Sequence, residues 1–235
     1  MPVLNEAESI AGVVTSWIEE MERLEIDYEL LIYDDGSQDA TVQMLNELMS
    51  CSARIVLKTH KNIGHGPTIL RGYWEARGEW IFQVDSDGEV SSDQFKALWL
   101  QRGNYDVLIG YRMARDSSLV RRIITTVARL TVWALFGKGV RDVNTPFRLI
   151  RRKYLVRLLE RVPMNMFAPN VVISGLAARD GLRIYECAVL HQGRKAGTSS
   201  IVKWKLWKAA TRAFVQTLQV AIHNAGNRRR GAAVE

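Results

Sequence analysis

Apolar positions in the first half of the chain repeat with two alternating periods. Between Glu6 and Arg23 they fall at Ile10, Val13, Val14, Trp17, Ile18 and Met21, a stripe with the spacing of one helical face. Tyr28–Tyr33 is a short apolar run that ends in Asp34-Asp35-Gly36-Ser37, which reads as a buried strand feeding a turn. The alternation continues with a helix over Thr41–Met49, a strand over Arg54–Leu57, a helix over Thr68–Ala76 and a strand over Trp80–Val84. A helix over Ser91–Leu100 and a strand over Tyr105–Ile109 complete it. Strands separated by helices predict an α/β fold, with a mostly parallel sheet and helices on both faces. Ligands gather at the carboxyl ends of such strands. Asp34-Asp35-Gly36-Ser37, Asp85-Ser86-Asp87-Gly88-Glu89 and Gly110-Tyr111-Arg112 all fall there.

The second half is less regular. Leu119–Phe136 reads as a long amphipathic helix with Arg121, Arg122 and Arg129 among its polar positions, ended by Gly137 and Gly139. A short strand over Phe147–Ile150, a helix over Arg151–Glu160 and a loop between Pro163 and Pro169 follow. A helix over Val171–Arg179, a strand over Leu182–Leu190 and a final helix over Lys203–His223 close the series. There is no internal repeat and no linker-like stretch. The expected organisation is one domain over 1–200 with a basic amphipathic helix and tail over 201–235, the tail from Asn227 onward frayed.

Composition adds one fact that the pattern does not. The net charge of +7 is unevenly spread: residues 1–111 hold 8 Lys/Arg and 19 Asp/Glu, and residues 112–235 hold 24 and 6. An acidic half suits a divalent cation, and a basic half suits phosphate or an anionic surface. Hydrophobic content of 47% excludes disorder and low complexity. No apolar stretch reaches the roughly 18 residues that cross a bilayer, and no basic secretory leader precedes the first helix. Cys51 and Cys187 belong to no ligand cluster, so a reducing compartment is the simplest expectation.

The sharpest local signal is Asp85-Ser86-Asp87-Gly88-Glu89. In an extended segment alternate side chains share a face, so Asp85, Asp87 and Glu89 are expected to converge on one cation. Oxygen ligands alone suit Mg2+ or Mn2+. An EF-hand is excluded, because Gly88 stands at loop position four and no carboxylate stands at position twelve. Asp34 and Asp35 are placed to accept hydrogen bonds from a nucleotide, and Ser37 or Asp39 equally to cap the next helix. The glycines of Asn62-Ile63-Gly64-His65-Gly66 let the backbone approach a ligand closely, but lack the third glycine of a dinucleotide fingerprint.

Together these segments resemble family 2 glycosyltransferases of the GT-A fold. The resemblance rests on Pro2-x-Leu4-Asn5-Glu6, Asp34-Asp35-Gly36-Ser37-x-Asp39-x-Thr41, Asn62-x-Gly64-x-Gly66 with Gly72, and Asp85-x-Asp87. Gly110-Tyr111-Arg112, Asp142-x-Asn144-x-Pro146-Phe147-Arg148 and Arg194-x-x-Gly197-x-Ser199 are similar to the dolichyl- or polyprenyl-phosphate sugar synthase branch. It implies that Pro2, Leu4, Glu6, Asp34 and Asp35 hold the nucleotide and that Ser86 touches its diphosphate. It also implies that Asp85 and Asp87 hold Mg2+ or Mn2+. Glu89 stands where these synthases usually carry Gln and still offers a metal ligand. Arg112, Arg121 and Arg194 match basic positions near donor diphosphate or acceptor phosphate, and Thr125 replaces a usual Ser one turn after Arg121. The chain departs from the family pattern at its first strand, which lacks the usual apolar residues before Met1-Pro2, and at His65 and Pro67.

The resemblance implies an inverting transfer from a nucleotide sugar to a polyprenyl phosphate. The metal and the arginines would neutralise charge on the departing diphosphate. An anionic acceptor phosphate needs little base; a hydroxyl acceptor would need one, for which Asp142 is the candidate, its other role being a salt bridge to a nearby arginine. Lys203–His223 places Trp204, Trp207, Phe214, Leu218 and Ile222 on one side, beside Lys203, Lys205, Lys208 and Arg212. That describes either an interfacial helix on anionic lipid or a helix packed on the domain. The expectation is a cytoplasmic enzyme peripheral to the inner face of the membrane. No nucleic-acid partner is expected, because acidic strand ends repel phosphates; salt-sensitive binding of oligonucleotides to the basic half would reverse that. Two further readings compete: the same donor chemistry with a soluble or saccharide hydroxyl acceptor, and a non-catalytic scaffold on the same fold. The oligomeric state is left open.

Overall fold

The computed structural model describes residues 1–113, 119–137, 140–191 and 203–231; for 119–125, 203–207 and 225–231 it describes the backbone alone. Strands and helices alternate as the periodicity predicts: β1 (Pro2–Val3), α1 (Ile10–Arg23), β2 (Leu30–Asp34), α2 (Thr41–Cys51), β3 (Ile55–Thr59), α3 (His65–Glu75) and β4 (Trp80–Gln83). After a single 3-10 turn at Ser92–Gln94 come α4 (Phe95–Gln101), β5 (Val107–Arg112), α5 (Leu119–Phe136), β6 (Arg148–Arg151) and α6 (Arg152–Leu159). The series closes with α7 (Pro169–Arg179), β7 (Ile184–Val189) and α8 (Lys203–Gly231).

The strands form two sheets. One is parallel, in the order β1-β2-β3. The other runs β4-β6-β5-β7, with β6 antiparallel to both β4 and β5, and β5 parallel to β7. The expected parallel sheet is therefore interrupted by one reversed strand. The reversal follows from connectivity: the chain returns from α5 through the Val140–Phe147 loop and enters β6 from the end where β4 and β5 finish. The ends of β4, β5 and β7 and the start of β6 thus lie on one rim.

Three apolar clusters hold the layers together. Ile10 and Val14 of α1 pack with Val3, Ile32, Leu45 and Ile55 on the parallel sheet. One turn later Trp17 belongs to a second cluster, with Phe82, Phe95 and Phe147 at centroid distances of 5.2, 6.1 and 6.2 Å. Helix α1 therefore straddles both sheets. The largest cluster packs α5, α6, α7 and α8 on the other face. Gly110 is required where β5 passes beneath that rim: a Cβ there would stand 2.7 Å from both Phe147 and Val189.

Several element boundaries differ from expectation, among them the start of α3 and the end of α8. Helix α3 starts at His65, not Thr68, because Pro67 sits in the first turn, where a missing N–H costs no intrahelical bond. Helix α8 continues to Gly231, so the tail expected to fray at Asn227 is helical for five further residues.

Candidate functional site

The β1–α1 and β2–α2 loops are laced together by short side chains. The Asn5 N–H donates to Ser37 Oγ at 2.9 Å, Glu6 N–H to Thr41 Oγ1 at 2.9 Å, and Ala7 N–H to Asp39 Oδ2 at 3.2 Å. Asn5 Oδ1 accepts from Gln38 N–H at 2.8 Å, and Asn5 itself takes a left-handed conformation, φ 52°. Burial opposes ionisation of Asp39, but bonds from the Thr41 hydroxyl and N–H outweigh it and hold its pKa below the ordinary carboxylate value. Ser37 and Asp39 thus join two loops, whereas the cap residue of α2 is Ala40.

Asp34 and Asp35 are both buried, and both are occupied by backbone. Asp34 accepts from the N–H groups of Gly36 and Ser37 at 3.2 Å and closes its own turn. Asp35 accepts from Ile63 N–H at 2.7 Å and Gly64 N–H at 3.0 Å, with His60 Nδ1 at 3.4 Å. It therefore holds the glycine segment onto the end of β2. Gly66 is required by a close approach of the chain to itself: a Cβ there would lie 2.2 Å from the Met166 carbonyl oxygen. Leu4 is exposed on the rim, Pro2 is buried in β1, and the Glu6 carboxylate accepts from the Ser9 hydroxyl at 3.2 Å.

The acidic motif and the β5 arginine come together. Asp85, Asp87, Glu89 and Arg112 line one small cleft of about 30 Å3 with Pro146, Phe147 and His191. Asp85 Oδ1 lies 3.6 Å from His65 Nε2 and, although screened from solvent, has no hydrogen-bond partner. Asp87 Oδ1 accepts from Glu89 N–H at 3.1 Å across Gly88, whose φ of 66° permits the turn. Glu89 Oε2 is 2.6 Å from His191 Nε2, and Val90 bridges His191 in antiparallel fashion. Ser86 is buried behind the motif.

The three carboxylates do not close on a common point. Among the described residues no three His, Cys, Asp or Glu side chains form a group able to hold a metal ion. The tight turn at Gly88 breaks the extended alternation on which that expectation rested, and His191 draws Glu89 aside. Asp85 and Asp87 remain a hard-oxygen pair with one orphaned oxygen, a donor set that fits Mg2+ or Mn2+ when substrate oxygens complete the shell.

Arg112 and Asp142 form a forked pair, Nε to Oδ2 at 2.8 Å and Nη2 to Oδ1 at 3.3 Å. Burial works against the Arg112 charge, but Asp142, together with the charges of Asp85 and Glu89, more than restores it and its pKa is raised. Asn144 N–H also donates to Asp142 Oδ1 at 3.3 Å. Asp142 thus takes the salt-bridge role, with both oxygens engaged. Arg194 lies outside the described residues, as do the side chains of Arg121 and Thr125.

Sequence reasoning missed His191 and gave no role to Arg148, which it quoted only within the motif that begins at Asp142. His191 follows β7 by two residues, and only its place just before the Arg194 motif hinted at a site. Arg148 has 0% exposure and, among the described residues, no carboxylate partner. It donates to the carbonyls of Thr145, Val143 and Asn170 and to Ser174 Oγ, at 2.9 to 3.2 Å, tying the Asp142 loop to α7. Burial holds its pKa below the usual guanidinium value.

Comparison with known proteins follows the same line. The profile of the family described as "Glycosyl transferase family 2" matches residues 1–159. The chain is similar to the undecaprenyl-phosphate 4-deoxy-4-formamido-L-arabinose transferase of Proteus mirabilis, 27% identical over 209 residues, 88% of this chain and 63% of that protein. The same-named protein of Pectobacterium atrosepticum is 26% identical over 210 residues, 88% and 62%. The chain thus spans less than two thirds of these relatives' length. Among solved structures it is similar to glucosyl-3-phosphoglycerate synthase from Mycobacterium tuberculosis. In complex with Mn2+, UDP-glucose and phosphoglyceric acid, that enzyme aligns with a TM-score of 0.65 and 17% identity, covering 94% of this chain and 77% of the other. A further structure of the synthase gives 0.64 and 20%, covering 94% and 78%. At such identities the likeness is one of fold, and the fold is GT-A. With the profile covering more than half of its length, the chain belongs to glycosyl transferase family 2.

Proposed function

We propose that this chain moves a sugar from a nucleoside-diphosphate donor to a polyprenyl phosphate at an anionic membrane surface, inverting the anomeric centre. The observation that carries the reading is that the Asp85–Asp87 pair and Arg112 line one cleft at the carboxyl ends of β4 and β5. The similar proteins are named for transfer to undecaprenyl phosphate, which accords with it.

Asp85 and Asp87 would hold Mg2+ or Mn2+, which when bound neutralises charge on a diphosphate leaving group. The laced loops of Asn5–Ala7 and Ser37–Thr41 border the nucleotide position, and Asp35 keeps the glycine segment in place beside it. Arg112, oriented by Asp142, presents its positive charge to the donor or acceptor phosphate. An acceptor phosphate attacks as an anion and needs no proton removed. That Asp142, the carboxylate the sequence offered as a base, is fully engaged favours such an acceptor over a hydroxyl.

The membrane surface is supported by apolar side chains on two helices that pack together. Helix α8 buries Thr217, Val220, Ala221 and Asn224 and leaves Phe214 and Ile222 outward; Trp133 and Leu130 of α5 are likewise exposed, Trp133 by 62%. Among the described residues no helix is long and apolar enough to cross a membrane. We take 1–200 as the transferase domain and α8 as its docking element, acting on the cytoplasmic face.

The test is calorimetric titration with UDP-, GDP- and dTDP-sugars in Mn2+ and then in EDTA, followed by transfer to undecaprenyl phosphate in anionic vesicles. Cation-dependent binding of one donor and lipid-dependent transfer are expected. Donor binding indifferent to EDTA would refute the metal role, and full transfer to a soluble hydroxyl acceptor without lipid would refute the acceptor.

A further inference from the structure

The loop of residues 163–168, between α6 and α7, is held from two sides, and the two holds differ in strength. Toward the donor side the hold is buried. The carbonyl oxygens of Met166 and Phe167 press on the first turn of α3, where a Cβ at Gly66 would stand 2.2 and 2.5 Å from them. Gly66 belongs to the glycine segment whose Ile63 and Gly64 N–H groups are bonded to Asp35. At the start of α7, Asn170 Oδ1 lies 3.2 Å from the Tyr73 hydroxyl, which donates to Gln83 Oε1 at 2.6 Å, two residues before Asp85. Tyr73, Gln83 and Asn170 are all buried, and polar contacts opened in such surroundings are costly.

Toward α8 the hold is superficial. One side chain makes both bonds: Gln216 Oε1 accepts from Phe167 N–H at 2.8 Å, and Gln216 Nε2 donates to the Asn165 carbonyl at 3.2 Å. One helical turn earlier, the exposed Arg212 guanidinium lies over the Phe167 ring, 5.7 Å from its centroid. Both Gln216 bonds face solvent, so water competes for them and they open at small cost. Phe167 nevertheless stays 40% exposed, as do Val215 and Ile222 of α8 to a greater degree. Helical spacing sets Val215 beside Arg212 and Ile222 two turns further on, so Phe167, Val215 and Ile222 form a row with the guanidinium within it. An apolar row carrying a cation is the chemistry of an anionic bilayer surface. The row is complete only while Gln216 holds the loop, so a bilayer binds the held form better, which is the differential affinity that coupling requires.

Given the membrane contact proposed above, we propose that the loop of residues 163–168 couples membrane to donor site: docking of α8 on an anionic bilayer holds the loop against α8 and thereby steadies the glycine segment. Phe167 enters the bilayer interface beside α8, and Arg212 keeps its charge at the level of the lipid phosphates. Because the inner edge of the loop is packed on α3, fixing its outer edge restrains the first turn of α3 and residues 63–66 with it. By linkage, whatever fills the donor site tightens lipid binding by the same factor.

The experiment follows amide exchange of the full chain with and without vesicles of phosphatidylglycerol and phosphatidylcholine in equal parts, at lipid concentrations that sediment the protein completely. Exchange at Ile63 and Gly64 is expected to slow at least about fivefold on vesicles, while Ile32 and Leu57 in the parallel sheet change less than about twofold. Gln216→Met keeps an apolar stem of similar length but neither bond; with enough lipid to sediment it fully, it should lose that protection. Phe167→Ala should raise the lipid needed for half-maximal sedimentation at least about threefold. Sedimentation with unchanged exchange at Ile63 and Gly64 would overturn the coupling and leave the membrane reading standing. So would full protection in Gln216→Met, or equal slowing at every amide. No sedimentation at any lipid concentration would overturn the membrane reading itself, and the coupling with it.

Discussion

Replacing Arg148 by Met tests whether a buried cation holds the Asp142 loop in place. Its guanidinium makes four hydrogen bonds, three to backbone carbonyls of the Val143–Thr145 loop and α7 and one to Ser174 Oγ. Bonds to a charged group contribute about 1.5–3 kcal/mol each, against a desolvation cost of several kcal/mol for the cation. A methionine recovers that desolvation cost. The carbonyls, however, stay buried and cannot be exchanged for apolar groups, so the balance for Arg148→Met is a loss of about 3–5 kcal/mol. At about 2–4 °C per kcal/mol for a chain of this size, the thermal midpoint falls by roughly 6–20 °C. Arg148→Lys keeps the charge but not the planar fork that spans loop and helix, and should lose about half as much. Urea unfolding followed by tryptophan fluorescence measures both. A Met variant within about 1 kcal/mol of the parent would refute the reasoning.

The remaining expectations are shorter. Protonation of the buried Met1 amine is disfavoured in the folded state, so the unfolded chain binds more protons between pH 6 and 8. Stability should therefore rise by about 2–3 kcal/mol across that window and level off above pH 8, and amino-terminal acetylation should flatten the profile of unfolding midpoint against pH. Gly66→Ala should cost about 2–4 kcal/mol, since its Cβ meets two backbone carbonyls that cannot swing away; a midpoint shift under 2 °C would contradict the close approach. Asp87→Asn should abolish Mn2+-dependent donor binding in calorimetry while leaving the circular dichroism spectrum unchanged. Trp133→Glu with Ile222→Glu should weaken co-sedimentation with anionic vesicles at least about tenfold, and undiminished sedimentation would move the membrane contact elsewhere.

What the sequence made legible was local. The stripe from Ile10 to Trp17 specifies α1 because one helical face must be apolar, and Leu30–Tyr33 specifies β2 because four consecutive apolar side chains offer neither face to water. Asp85, Asp87 and Arg112 were readable as candidate site residues because strand ends are where such folds gather ligands. Partnerships across long separations were not readable. Nothing near Asp35 in sequence says that it will bond the N–H groups of Ile63 and Gly64, and nothing near Glu89 announces His191, 102 residues on. Arg148 closed the motif that begins at Asp142, but only packing shows it to be sealed beneath the loop. Asp142 carried two readings because a carboxylate near arginines can be base or partner, and the choice needed the 2.8 Å contact to Arg112.

Charge arithmetic within the cleft ties these partnerships to the proposed chemistry. Asp85, Asp87 and Glu89 face the same small space, and Arg112 is already matched by Asp142, so the cleft by itself is acidic. A donor diphosphate carries the same sign. Two like charges about 6 Å apart repel by roughly 3 kcal/mol at an effective dielectric near 20, and several such pairs would act at once. On the proposed reading, a divalent cation standing between the cleft and a donor diphosphate would reverse the sign of each of those interactions. The orphaned Asp85 oxygen is the acceptor that such a cation would take, while His191 already serves Glu89. The acidity that argues against nucleic-acid binding by this half of the chain is the same property that, on the proposed function, would make nucleotide binding conditional on metal.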